Sequence, residues 1–147
     1  MNRADLPLLL AADELAPAQE PEALDRLRLQ KGVFILQMAG DERWRNLFDF
    51  EPWDWGPFSR ELTREIAQLV NDNLLEIESV PGRRYPRYRT TYEGDARVAK
   101  LLEEMDSKHV EFVSKVRAYV TSRSFSQLLR EVYGRFPDYA VNSRFQS

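Results

Sequence analysis

Apolar residues recur along this chain with two different periods, and the changes of period mark its elements. From Ala23 toward Gly40 the spacing of Leu27, Phe34, Ile35 and Met38 is helical, and Val33 and Leu36 add a second apolar side, so the latter half should be buried almost all round. Upstream, Leu6 to Leu15 reads as a short apolar helix, followed by a proline- and acid-containing connection over Pro17 to Glu22. Asn46 to Trp55 alternates Phe48 and Phe50 with Asp49 and Glu51, the period of a half-buried strand that Pro52 stops. Gly56-Pro57 then opens a second helix, on which Phe58, Leu62, Ile66, Leu69 and Val70 form one stripe and Arg60, Arg64 and Asn71 lie on another side. Leu75 to Val80 and Arg87 to Tyr92 flank Pro81-Gly82 and predict a β-hairpin, with Tyr88, Thr90 and Tyr92 facing one way and Arg87, Arg89 and Thr91 the other. Gly94 ends the hairpin region. Helix resumes at Asp95 through Val98, Leu101, Leu102 and Met105, continuing or breaking before Phe112, Val113, Val116 and Val120. A last helix carries Phe125, Leu128, Leu129, Val132 and Tyr133 and is ended by Gly134 and Pro137.

The order helix, strand, helix, hairpin, helices is mainly α with a small β-hairpin, an α+β chain. It is the layout of a winged helix-turn-helix-like domain with a C-terminal helical extension. One domain is expected over 1–147: an N-terminal helix and connection (1–22), a winged-helix core (23–94) and C-terminal helices (95–147).

Composition narrows the chemistry. A chain of 147 residues with 43% hydrophobic and 12% aromatic positions can build a core without staples. With no cysteine, thiolate chemistry, iron–sulfur clusters and the usual structural zinc sites are excluded. A net charge of -3 supplies no general attraction to polyanions, so a nucleic-acid surface has to be local. Nothing approaches the length of a membrane span, and Leu6 to Ala12, interrupted by Pro7, is poor as a signal peptide; a cytoplasmic protein without a membrane partner is expected. His109 is the only imidazole and has no Ser or Cys nucleophile motif beside it. No phosphate-binding glycine loop or metal-ligand set occurs, so no enzyme, catalytic residue, metal or cofactor is expected.

Basic residues gather in the predicted wing: Pro81 to Lys100 holds six basic against two acidic residues. Arg83 and Arg84 at the tip, with Arg87 and Arg89 just after it, offer forked donors to phosphate oxygens. Pairing symmetric about the tip puts Arg89 across from Glu78, so part of this charge is spent across strands, whereas Arg83 and Arg84 have no such local partner. On the predicted recognition helix Arg60, Thr63 and Arg64 make a major-groove surface chemically possible, while Glu61 and Glu65 beside them repel phosphate. Trp53, Trp55 and Tyr85 are candidates for a partner or ligand surface, because aromatics concentrate binding energy; Phe58 is assigned to the core.

Two sets of segments carry a family resemblance. "REIAQLVNDNLLEIE", a hairpin and "YRTTYEG" resemble the helix-wing-helix core of PadR- and MarR-type regulators, whose second wing strand ends in a Tyr-x-x-Thr-x-x-Gly pattern, here Tyr88 to Gly94. "RLRLQKGVFILQ", "FDFEPWDWGPFSREL", "PGRRYPRYRTTYEG" and "LLREVYGRFPDYAVNSRF" resemble a group of bacterial winged-helix-like proteins, and the Gly-Pro-aromatic-Ser element is similar, more distantly, to the SocA-like antitoxin domain. The resemblance implies a winged-helix fold and a bacterial regulatory or defence-related context. It departs from DNA-binding winged helices where Phe48 to Pro57, which looks extended, replaces the helix before the recognition helix.

The expectation is therefore a DNA-binding winged-helix protein, a bacterial transcriptional regulator that binds double-stranded DNA as a homodimer paired through its C-terminal helices. The alternative is a protein-interaction module on the same scaffold, an antitoxin-like or phage-defence subunit with a protein partner such as a toxin.

Overall fold

The computed structural model describes residues 1–143; the Arg144-Phe145 end of the last quoted segment lies outside the described residues. The fold is α+β. Among the described residues it has six α-helices, α1 (Asp5–Leu10), α2 (Arg26–Ala39), α3 (Arg60–Asn71), α4 (Tyr92–Glu104), α5 (Ser107–Ser122) and α6 (Phe125–Arg135). It also has two separate antiparallel hairpins, β1 (Glu51–Trp53) with β2 (Gly56–Phe58) and β3 (Leu75–Glu78) with β4 (Arg87–Thr90). No helix among the described residues is long and apolar enough to cross a membrane.

The short helix α1 is the hub of the core. Leu6, Leu8, Leu9 and Leu10 are fully buried, and α1 contacts α2, α3, α4 and α5. A helix apolar on every side has to be enclosed on every side. Leu6 to Leu15 is not one helix: the chain leaves α1 at Ala11 and makes a separate 3-10 turn over Asp13–Leu15. Buried Arg117 of α5 takes up the carbonyls of Leu10 and Ala12 there, while its Nε donates to Glu20 at 2.7 Å.

Helix α2 starts at Arg26 rather than Ala23. Residues before it are diverted to the second hairpin: Tyr88 N–H donates to Leu24 O at 2.9 Å and Asp25 bridges to Arg87. Asp25 then caps the helix by accepting from Arg28 N–H. Gly32 permits close passage of α1, since a Cβ there would lie 2.4 Å from Leu10 Cδ2.

The strand predicted over Asn46 to Trp55 forms only from Glu51. Phe48 is buried, but its backbone bonds to the side chain of Gln37, which donates to Phe48 O at 3.0 Å and accepts from Phe48 N–H at 2.8 Å. A side-chain amide thus takes the place of a strand partner. Gly56-Pro57 is likewise not a helix start. It belongs to β2, paired as Pro52↔Pro57 and Trp53↔Gly56, and the helix begins three residues later behind Ser59, which accepts from Leu62 N–H at 3.1 Å.

In the second hairpin Leu75 pairs with Thr90, Glu76 with Arg89, Ile77 with Tyr88 and Glu78 with Arg87. Arg87, not Arg89, is therefore opposite Glu78. The register is symmetric about Gly82-Arg83, one residue earlier than Arg83-Arg84, and the tip holds a turn in which Arg83 N–H donates to Val80 O and Gly82 takes φ 75°. Tyr92 and Gly94 are not strand or hairpin terminus but the first turn of α4, because Thr91 caps that helix by accepting from Gly94 N–H. Gly94 is required there, since a Cβ would sit 2.1 Å from Leu74 O. Helix breaks between α4 and α5 at Met105-Asp106, and α6 runs past Gly134 to Arg135 before Pro137 stops it.

Candidate nucleic-acid interface

Carboxylates from both inside and outside the second hairpin hold most of its arginines. Arg89 reaches Asp13 at 2.9 Å, Glu78 at 3.2 Å and Glu76 at 3.4 Å. Arg87 donates through both Nε and Nη2 to Glu78. These contacts lower the Glu78 carboxyl below its usual range, Arg87 contributing most, and raise Arg89, chiefly through Asp13. At the tip, Arg83 has no partner within the hairpin, as expected, but is held from elsewhere in the chain: it bonds to Glu22 and donates to Pro21 O at 2.7 Å. Those partners lie 61 and 62 residues away along the chain.

Arg84 is different. It has no carboxylate within ion-pair distance among the described residues, and its guanidinium lies 5.6 Å from the Tyr85 ring centroid. Arg26, exposed on α2, lies 4.6 Å from the same ring. Tyr85 therefore has two guanidiniums packed on it, neither neutralised among the described residues, beside a shallow cleft of about 280 Å³ whose lining includes Arg84, Tyr85, Ser124 and Phe125.

The surface of α3 joins this arrangement through α2. One turn beyond Arg26, Gln30 donates to Ser59 O and Thr63 Oγ1, both at 3.0 Å, and accepts from Ser59 N–H. The tip of the second hairpin and the N-terminal end of α3 thus pack along neighbouring turns of one helix. Arg60 and Arg64 are exposed on α3. Arg60 lies over Trp53 at 5.5 Å from the ring centroid, and neither arginine has an ion-pair partner among the described residues. Thr63 is exposed, but its hydroxyl is occupied, accepting from Gln30 and donating to Ser59 O.

Glu61 and Glu65 were expected to repel phosphate, but Arg3 holds both at 3.0 Å. Glu61 is pushed below its usual range by the Asp49 backbone N–H and then by Arg3. The acids on this face are therefore screened by a cation 58 residues or more distant in sequence.

Trp53 and Trp55 are 38% and 47% exposed on β1–β2, with Trp53 against Phe58 at 4.3 Å between centroids. Phe58 is partly buried. His109 sits in the first turn of α5 with Nδ1 3.4 Å from Asp41, close to Trp44, and no metal-holding cluster of His, Cys, Asp or Glu exists among the described residues. Arg3 and Arg26 were missed from sequence because their roles depend on what they face across the fold.

The chain matches no protein-family model and no curated protein.

Proposed function

We propose that this chain is a bacterial winged-helix protein that binds double-stranded DNA through its β3–β4 wing and the N-terminal end of α3, acting as a transcriptional regulator. The observation that carries this is the set of four guanidiniums, Arg26, Arg60, Arg64 and Arg84, with no carboxylate at ion-pair distance among the described residues, whereas Arg83, Arg87 and Arg89 are paired. In this arrangement Arg84, steadied on Tyr85 beside Arg26, meets the phosphate backbone or minor groove, while Arg60 and Arg64 meet the backbone beside the major groove. Arg87 and Arg89 position the wing, because their donors are already directed at Glu78, Glu76 and Asp13.

Neutralising four phosphates gives a log–log salt slope of roughly −3.6 for a duplex. Fluorescence anisotropy with a random duplex at several salt concentrations measures it. Arg84→Ala and Arg60→Ala should each reduce the slope by about 1. Absence of binding at low salt, or slopes unchanged in both variants, overturns the proposal.

A second reading has its own support. The place of the helix before α3 is taken by β1–β2, whose Trp53 and Trp55 stand at the surface. Exposed paired tryptophans suit a protein partner, as in an antitoxin-like or defence subunit. Co-purification with the product of an adjacent gene, abolished by Trp55→Ser with duplex binding intact, would favour it.

A further inference from the structure

On the side of the molecule formed by α5 and α6 lies a cleft of about 330 Å³, between Ile35 and Ala39 of α2, Phe112, Val116 and Tyr119 of α5, and Val132 and Phe136 at the end of α6. Its floor is apolar. Its size is at the lower end of the range for small-molecule sites, about 300–1,000 Å³.

The charges at its mouth are unequal in availability. Glu131 is occupied, accepting from the Tyr119 hydroxyl and from Arg123 Nε at 3.3 Å. Lys115 is tied to Glu111 at 3.2 Å on the outer surface. Arg135 alone at this rim has no carboxylate within ion-pair distance among the described residues. An apolar floor with one uncommitted guanidinium at its edge complements a molecule with an apolar chain and a terminal anion, and a planar carboxylate matches the guanidinium fork.

We propose that the α2–α5–α6 cleft binds a small lipophilic carboxylate, with its chain against Ile35, Phe112, Val116 and Phe136 and its carboxylate on Arg135. None of the wing residues takes part, so this proposal and the DNA-binding proposal fail independently.

Calorimetric titration with decanoate, and with 1-decanol as the uncharged probe, tests it. Decanoate should bind saturably at one site and at least tenfold more tightly than decanol, shifting methyl resonances of Ile35, Val116 and Val132. Arg135→Gln should bring decanoate to the affinity of decanol. Ala39→Trp, which fills the cleft from an exposed helix end, should abolish uptake of both without altering the melting temperature. The proposal is overturned if decanoate gives no saturable binding, if decanol binds as tightly, if methyl shifts fall elsewhere, or if a second copy of the chain covers the cleft and excludes decanoate.

Discussion

Hairpins β1–β2 and β3–β4 each lead directly into a helix through a capping hydroxyl, Ser59 before α3 and Thr91 before α4, yet different forces seat them. The first is seated by close packing. Gly56, at φ 98°, lets β2 press onto α2 and α6, so that a Cβ there would lie 2.8 Å from Lys31 Cε and 2.9 Å from Leu129 Cδ2. The second is held at buried Leu75 and by the Tyr88–Leu24 backbone bond, and in addition by ion pairs at half-exposed positions, with Arg89 holding Asp13 and Arg83 holding Glu22. Packed contacts are indifferent to salt, whereas exposed ion pairs weaken as ionic strength rises. The proposed DNA-binding element is therefore the one whose placement responds to the ions that also compete for phosphate.

Five variants break or sharpen this contrast. Gly56→Ala should destabilise the protein most, by about 4 kcal/mol in urea unfolding, because it combines a strained φ with overpacking against Lys31 and Leu129. A loss under 1 kcal/mol would mean that β1–β2 is not packed as described.

Lys31, beneath that hairpin, makes no ion pair or hydrogen bond among the described residues, and its ammonium lies 5.9 Å from the Phe125 ring centroid. Burial pushes its pKa from 10.5 down to about 7, opposed weakly by Asp25. Between those values the unfolded chain binds more protons than the folded one, so stability should rise with pH from 7 toward 10, by roughly 3 kcal/mol. Lys31→Met should remove that rise and be the more stable protein at pH 7. Unfolding curves of both proteins across this range give the answer, and parallel pH profiles would show that Lys31 does not titrate in the window.

Ser59→Ala and Thr91→Ala should each lose about 1 kcal/mol, since both remove a helix cap at a buried position. Similar losses at the two sites confirm that the hairpins end alike. A much smaller loss at one would identify the helix that packing alone can start.

The smallest effect on global stability is expected for Arg89→Ala. It should speed amide exchange in β3 and β4 several-fold at low salt, with the difference shrinking at high salt, and leave β1–β2 unchanged. Equal exchange in both hairpins would remove the electrostatic distinction.

Helices α3 and α6 were legible in the sequence because each carries a stripe at helical spacing: α3 was anticipated through Leu62, Ile66 and Leu69, and α6 through Leu128, Leu129 and Val132. The second hairpin was legible from Pro81-Gly82, but its register was not, since it is fixed together with the pairing of Leu24 and Asp25 with β4. The strand inferred from Phe48 and Phe50 failed where alternation reflected burial beside Gln37 and not a ladder. Of the candidate cations, Arg60, Arg64 and Arg84 remain uncommitted among the described residues; Arg83, Arg87 and Arg89 do not.

By itself, the sequence determined which segments bury a face, where helices start and stop to within a few residues, and that positive charge clusters around one turn. These are properties of neighbours along the chain, fixed by side-chain period and turn chemistry. Only the tertiary structure decided which of those charges are available. Arg3 finds Glu61 and Glu65, Arg89 finds Asp13 and Arg26 finds Tyr85 across distances in sequence over which no local pattern carries information, because ion pairing and cation–π contact depend on separation in space alone.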